Sequence, residues 1–442
     1  METGKSELTY SELVHELFPR LTGGIRWGLE RTRELLASVG NPQDSYRSVH
    51  IGGTNGKGSV AASIASILRR TRGNVGLYSS PHLCSFRERF QINHAALSED
   101  ALVDAARMLW PAIERLEPSF FEATTAIGLL AFAQAGIDMA VIEVGLGGRL
   151  DATNIIDPEL AIITNIAFDH ADYLGDTLTA IAIEKAGILK QGVPLLTAEQ
   201  NPQTLEVFRS RASQLYAPMH VLTPSDLHNV SFNTRGTSFT MQWRGRPQTL
   251  HTPLIGRHQA INAAVAVRAA ELLQVDLDAS HIQRGLAQVN WPGRMQIENV
   301  AGQTWVFDVA HNVAGVHALV QCASQLNLPR PLVLVLGILG DKDWRAMLPP
   351  LFSLADESIL TIPPTAPANR TWDPQHALGF AENHNARVIA EFNESLEIAH
   401  ARAGHGTVLV TGSFHTVGDA LIALNRAPFG ADVTLPRVAF AG

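Results

Sequence analysis

Gly53-Thr54-Asn55-Gly56-Lys57-Gly58-Ser59 separates a short apolar run, Ser48–Ile51, from an amphipathic stretch, Ser59–Arg70. The first reads as a strand and the second as a helix, with a glycine-rich turn between them. Backbone N–H groups of such a turn, with a helix N-terminus behind them, cradle phosphate oxygens, and Lys57 is placed to reach the outer phosphates. The usual phosphate-loop pattern has Ser or Thr directly after the lysine, where its hydroxyl holds Mg²⁺. Gly58 fills that slot here, so a metal must find other ligands.

The same alternation extends outward. Val75–Tyr78, Met139–Val144, Leu160–Ile166 and Pro194–Thr197 read as buried strands, and Ser98–Leu116, Ala123–Ala135 and Thr177–Leu189 as helices. Continuous apolar strands between helices mark a parallel sheet covered on both faces. Residues 219–253 change character and read as antiparallel hairpins, followed by an Ala-rich helix, Gln259–Leu273. Residues 290–303, with Trp-Pro-Gly, read as a linker. Strand–helix alternation then restarts at Trp305–Asp308, Leu332–Leu336, Ser358–Thr361, Arg387–Ile389 and Thr407–Val410. The expected class is α/β: a doubly wound, mostly parallel sheet over 1–295, containing the phosphate loop and a small antiparallel excursion, then a smaller Rossmann-like unit over 296–442.

In a parallel sheet the strand carboxyl ends share one edge, where ligands bind. Three polar residues fall there: Ser80 after Val75–Tyr78, Glu143 at the end of an apolar strand, and His170 after Leu160–Ile166. Hydroxyl and carboxylate oxygens suit Mg²⁺, and an imidazole suits Mn²⁺ better. Asp308, at a strand end in the second unit, is placed to accept from ribose hydroxyls. Gly340-Asp341-Lys342-Asp343 and Val410-Thr411-Gly412-Ser413-Phe414-His415 also follow strands, so a cleft between the two units is expected. Lys185, on an amphipathic helix, reads by spacing alone as an ordinary solvated charge.

Composition narrows the partners. The chain has 442 residues with a net charge of −8, a poor balance for binding nucleic acid or anionic membrane. Two cysteines, Cys84 and Cys322, cannot build a disulfide framework and fit a reducing compartment. The start lacks a signal-peptide core, and no apolar run is long enough to span a bilayer. A cytoplasmic protein is expected, with small-molecule partners. Only five of the 34 basic residues are lysines, Lys5, Lys57, Lys185, Lys190 and Lys342, so a retained lysine hints at a chemical need.

GTNGKGS, YSSPHL, EVGLGGRLDATN, DHADYLGDT, IEKAGIL, HQAINAA, PGRMQ, DVAHN, GDKD and TGSFHTV occur in that order between about Gly24 and Val417. The set resembles the bacterial folylpolyglutamate synthase family, in the group that often doubles as dihydrofolate synthase. That family resembles the Mur peptide ligases, which carry a further N-terminal domain for a UDP-sugar substrate. About fifty residues precede the phosphate loop here, too few for it, and Mur ligases usually have Thr where this chain has Gly58. A Mur-type amide ligase acting on a peptidoglycan precursor is the alternative.

The resemblance implies roles residue by residue. Thr54, Asn55, Gly56, Lys57, Gly58 and Ser59 would bind ATP phosphates, with Asn262, Arg294 and Asp308 holding ATP from the edge of the central domain, the linker and the second unit. Ser80, Glu143 and His170 match metal ligands for Mg²⁺, and two ions are envisaged. Lys185 matches a lysine that CO₂ can carbamylate beside a second metal. Gly24, Ile25, Arg26, Trp27, Ser119, Phe120, Phe121, Leu150, Asp151 and Ala152 match pterin contacts. His311 and Ser413 lie where L-glutamate and phosphate approach. Lys57, Lys185 and His311 form the implied catalytic set. The implied reaction is ATP-dependent joining of L-glutamate to dihydropteroate or reduced folate through an acyl phosphate, by a monomer. Two departures stand out: Val313 replaces the Pro common after DxAHN, and Trp27 replaces a smaller apolar residue.

Overall fold

The computed structural model describes residues 8–21, 27–71, 73–380 and 385–438. The first half is built on an eight-stranded sheet. Its strands are β1 (Arg47–Gly52), β2 (Val75–Tyr78), β3 (Phe90–Ile92), β4 (Ala95–Ala96), β5 (Met139–Glu143), β6 (Leu160–Ile163), β7 (Leu195–Thr197) and β8 (Met219–Val221), in the order β4-β3-β2-β5-β1-β6-β7-β8. All neighbours run parallel except the edge pairs β2–β3 and β3–β4. The central strands are buried throughout on both faces, as apolar parallel strands must be.

One face is covered by the helix Lys57–Leu68 packed on the helix Arg257–Leu272. Ala61, Ala62 and Ala65 of the first and Ala260, Ala263 and Ala264 of the second are small residues buried in one shared core. Small side chains let the two backbones approach closely and fix the phosphate loop at the helix start. Helices Glu99–Leu116 and Phe120–Gln134 cover the other face with a second apolar core. A three-stranded antiparallel sheet follows: β9 (His228–Asn233), β10 (Gly236–Trp243) and β11 (Arg246–Thr252).

The second half has six strands: β12 (Gln296–Val300), β13 (Gln303–Asp308), β14 (Leu332–Leu336), β15 (Glu357–Leu360), β16 (Ala386–Val388) and β17 (Thr407–Thr411), in the order β12-β13-β17-β14-β15-β16. Only β12 is antiparallel. The α/β class with a separate C-terminal α/β unit stands as read from the sequence.

Several details differ from the sequence reading. The stretch read as a linker contains β12, because Ala301 and Gly302, at φ 50° and 80°, close a two-residue hairpin with β13. Residues 219–221 belong to the main sheet rather than to the antiparallel excursion. The helix expected from Ala123 begins at Phe120, because Ser119 and Glu122 form a capping box.

The two halves meet at their strand carboxyl ends. Asn312, after β13, donates from Nδ2 to Asn55 Oδ1 at 3.0 Å, and Lys342, after β14, reaches Asp169, after β6, at 2.6 Å. At the far side the C-terminal segment returns to the first half. Asp432 accepts from Tyr10 Oη and Ser85 Oγ, each at 3.0 Å, and from the Phe86 N–H. This pins the loop that begins at Ser80. No helix among the described residues is long and apolar enough to cross a membrane. Both cysteines are free and buried.

Candidate active site

A cleft opens where the two halves meet. It is lined by Gly53 to Gly58, Ser80, Glu143, Asp169, His170, Lys185, Trp291, Arg294, His311 and Phe414, among others. The strand-end residues expected from the sequence therefore converge.

The phosphate loop is shaped by its neighbours. Gly53 and Gly56 take φ of 131° and 84°, backbone that L side chains rarely adopt. The loop is stapled to the chain leaving β6: Asn55 N–H donates to Asn165 Oδ1 at 2.9 Å, and Thr164 Oγ1 donates to Asn55 O at 2.7 Å. Lys57 opens the helix, and its Nζ rests on Thr54 O at 3.2 Å, within the cleft. Gly58 has a structural reason: a Cβ there would lie 2.7 Å from Trp291 Cζ2. The indole of the Trp-Pro-Gly segment occupies the space that a Ser or Thr side chain would need. Asn262 abuts the loop from behind, since a Cβ on Gly56 would meet its Oδ1 at 2.7 Å. Ser59 is buried, and its Oγ has no hydrogen-bond partner among the described residues.

Glu143 ends β5 and is buried, and its Oε2 accepts the Ser80 N–H at 3.3 Å. No ion pair to it occurs among the described residues. Burial pushes its carboxyl up, and Lys57, the Ser80 N–H, Arg294 and Arg89 pull it back down. His170 sits in left-handed backbone at φ 54°, and burial followed by the Lys342 charge lowers its imidazole to about 4.

Lys185 is not a solvated charge. It is buried, and its Nζ donates to Gly53 O at 2.8 Å. Burial first, then the Lys57 charge, brings its ammonium down to about 7. Three of the four described lysines, Lys57, Lys185 and Lys342, thus gather at the cleft, while Lys190 donates to Asn154 O.

From the segment just before β12, Arg294 lies with its guanidinium 5.2 Å from the Phe414 ring centre. His311 Nδ1 is 2.9 Å from Val309 O, and its Nε2 lies 3.6 Å from Asp169 Oδ2. Asp308 is buried behind Arg294 and accepts the Met295 and Ala310 N–H groups at 2.8 and 2.9 Å. Burial raises its carboxyl, and Arg294 is the leading opposing influence.

The residues expected at the pterin are more dispersed. Gly24, Ile25 and Arg26 lie outside the described residues. Trp27 is 41% exposed, with its ring 6.4 Å from that of Tyr173. Ser119 caps a helix, Phe120 packs with Phe18 and Phe86, and Phe121 lies against Gly145. Asp151 is buried and accepts from Thr153 and the Leu146 N–H. Ala152 is buried beside it, and Leu150 is partly exposed. Ser413 caps the helix Phe414–Ala423 and accepts the Thr416 N–H. The cleft also contains residues that the sequence reading did not assign: Asp169, Trp291 and Phe414. Asp169 stands beside His170 in a quoted motif, which was the available signal.

A phosphate loop facing a second α/β unit across such a cleft suits a nucleotide-dependent enzyme, and the relatives make the class an ATP-dependent ligase. Residues 51–270 match the Mur ligase middle domain, and 293–414 match the Mur ligase glutamate ligase domain. The chain belongs to the folylpolyglutamate/dihydrofolate synthase family. It is 34% identical over 426 residues to the folylpolyglutamate synthase of Lacticaseibacillus casei, covering 92% of this chain and 97% of that one. It is 32% identical to the dihydrofolate synthase/folylpolyglutamate synthase of Bacillus subtilis, covering 93% and 98%. Among solved structures, Mycobacterium tuberculosis folylpolyglutamate synthase complexed with ADP superposes with a TM-score of 0.88 at 31% identity, covering 95% and 99%. These likenesses do not favour the peptidoglycan alternative.

Proposed function

We propose that the cleft joins L-glutamate to the free carboxylate of dihydropteroate or a reduced folate, with ATP as the activating substrate. The convergence of Lys57, Glu143, Lys185, Arg294 and His311 on one cavity carries this reading. A substrate carboxylate oxygen attacks the γ-phosphorus of ATP, and the bond to ADP breaks. The glutamate amine then attacks the acyl phosphate carbon and phosphate leaves. The protein positions the reactants and neutralises charge rather than supplying a covalent nucleophile.

Lys57 and the loop N–H groups would hold the β- and γ-phosphates, with Gly58 and Ser59 alongside. Asn262, Arg294 and Asp308 would enclose the rest of the nucleotide. His311 and Ser413 would receive the incoming glutamate. The segments at Trp27, Ser119–Phe121 and Leu150–Ala152 would contact the pterin side of the acceptor. The hydroxyl, buried carboxylate and imidazole of Ser80, Glu143 and His170 line one cleft and would hold Mg²⁺. Bound there, Mg²⁺ would supply charge neutralisation on the phosphates. The enzyme would act as a cytoplasmic monomer, since one chain supplies both walls of the cleft.

The test offers 7,8-dihydropteroate and tetrahydrofolate separately, with MgATP and L-glutamate, and identifies products by mass. Glutamate added to either acceptor with stoichiometric ADP supports the reading, and addition to both makes the enzyme bifunctional. Folded, ATP-binding protein that glutamylates neither acceptor contradicts it.

Lys185 is proposed to be carbamylated. Its burial favours the uncharged amine, which adds CO₂ and releases a proton to give an anion facing the cleft. Protein equilibrated with ¹³C-bicarbonate is expected to show a carbamate carbon signal that is absent from Lys185→Met. Identical spectra for the two proteins would refute the modification.

A further inference from the structure

Among the described residues, the lysine ion pair that crosses between the two halves, from Lys342, ends on Asp169. Its side chain is 9% exposed, and Oδ1 accepts Lys342 Nζ at 2.6 Å. Oδ2 accepts Asn312 Nδ2 at 3.0 Å and lies 3.6 Å from His311 Nε2. Lys342, Asn312 and His311 all belong to the second half.

Asn312 extends this contact to the phosphate loop. Its Nδ2 also donates to Asn55 Oδ1 at 3.0 Å, and its Oδ1 accepts Gly315 N–H at 2.8 Å as the cap of helix Val313–Gln325. An amide NH₂ has two hydrogens, and both are used across the interface. The result is a continuous chain from the phosphate loop through Asn312 to Asp169 and Lys342. Each link is directional, so the start of the helix and the adjoining His311 are fixed relative to the loop rather than merely near it. Charge-assisted bonds between side chains this shielded from water are stronger than neutral ones.

We propose that Asp169 is a positioning residue that couples closure of the cleft to productive use of the activated carboxylate. This inference rests on the ligase reading above. An acyl phosphate survives only while water is excluded and the amine-binding side is held in place. With Asp169 drawing Lys342 and Asn312 onto the first half, the intermediate is retained until the amine attacks. Without it, the first half still carries its phosphate-loop residues, but the second half is held loosely and water competes.

The experiment compares Asp169→Asn, Lys342→Met and the double variant. Asn keeps the size and one acceptor of Asp169 but loses the charge. The first readout is phosphate released per glutamate added. The wild-type ratio is expected to be close to one, and each single variant should raise it at least about threefold, with KM for glutamate up about tenfold. The double variant should be no worse than either single one, because the two side chains act as a unit. A purely structural role would lower total turnover and leave the ratio at one, which would overturn the proposal. So would a rise in KM for glutamate confined to Lys342→Met, since that residue would then serve the substrate directly.

The second readout is small-angle X-ray scattering of the ligand-free proteins. Both single variants are expected to have a larger radius of gyration than wild type, and no change would refute the latch. Wild-type protein that adds no glutamate would sink the ligase reading instead, and scattering would still decide the latch.

Discussion

Lys57→Ala is expected to lower kcat for ADP release by at least about a thousandfold, with the fold intact. Among the described residues, Lys57 Nζ is anchored weakly, on Thr54 O at 3.2 Å. A cation held so lightly at the head of the helix, inside the cleft, is free to move onto phosphate. Its removal takes away charge where the transferring phosphoryl group gathers it. The structural cost is small, because alanine is a good helix former at the first turn and no packed core contact is lost. Circular dichroism and a denaturation midpoint would establish folding, and steady-state ADP release the activity. Wild-type turnover by Lys57→Ala would refute the phosphate-loop assignment.

Glu143→Gln is expected to lower kcat by about a hundredfold to a thousandfold and to weaken the Mg²⁺ requirement. Stability should not fall. Glu143 is buried at the end of β5 with one backbone donor, and burial already disfavours its charge. Glutamine keeps the shape and the acceptor for Ser80 N–H while removing a buried charge that has no ion-pair partner among the described residues. A variant at least as stable as wild type and catalytically crippled would show that the carboxylate is kept for chemistry. Activity titrated against Mg²⁺, with urea unfolding in parallel, measures both. Unchanged activity at every Mg²⁺ concentration would remove Glu143 from the site.

Much of this was legible in the sequence where local chemistry decides structure. The phosphate loop needs glycine at φ 131° and 84°, and its glycines stand where the turn requires them. The strands Val75–Tyr78 and Leu332–Leu336 have the bounds that their apolar runs give. The rule that parallel strands present ligands at their carboxyl ends placed Ser80, Glu143 and His170 on one cleft. Ser119-x-x-Glu122 was a readable capping signature that would have moved a helix start to Phe120.

Other features have no local signal. Ala301 at φ 50° closes the β12–β13 hairpin, and alanine does not announce a left-handed turn. Spacing made Lys185 a surface residue, whereas the tertiary fold buries it with its Nζ on Gly53 O of the phosphate loop. Trp291 excludes a side chain at Gly58 from more than two hundred positions away. Asp169 acquires its partner Lys342 across 173 residues, so its importance is a property of the closed cleft rather than of the motif around it.

The central claim is that a carboxylate is activated by phosphoryl transfer in this cleft. The most direct measurement uses an acceptor carrying ¹⁸O in the carboxylate that becomes the amide, and follows the label during glutamate addition. The account predicts one ¹⁸O in each phosphate released, because the oxygen that attacks the γ-phosphorus leaves with it. Glutamylated product with no ¹⁸O in phosphate would contradict the acyl phosphate route and the roles derived from it.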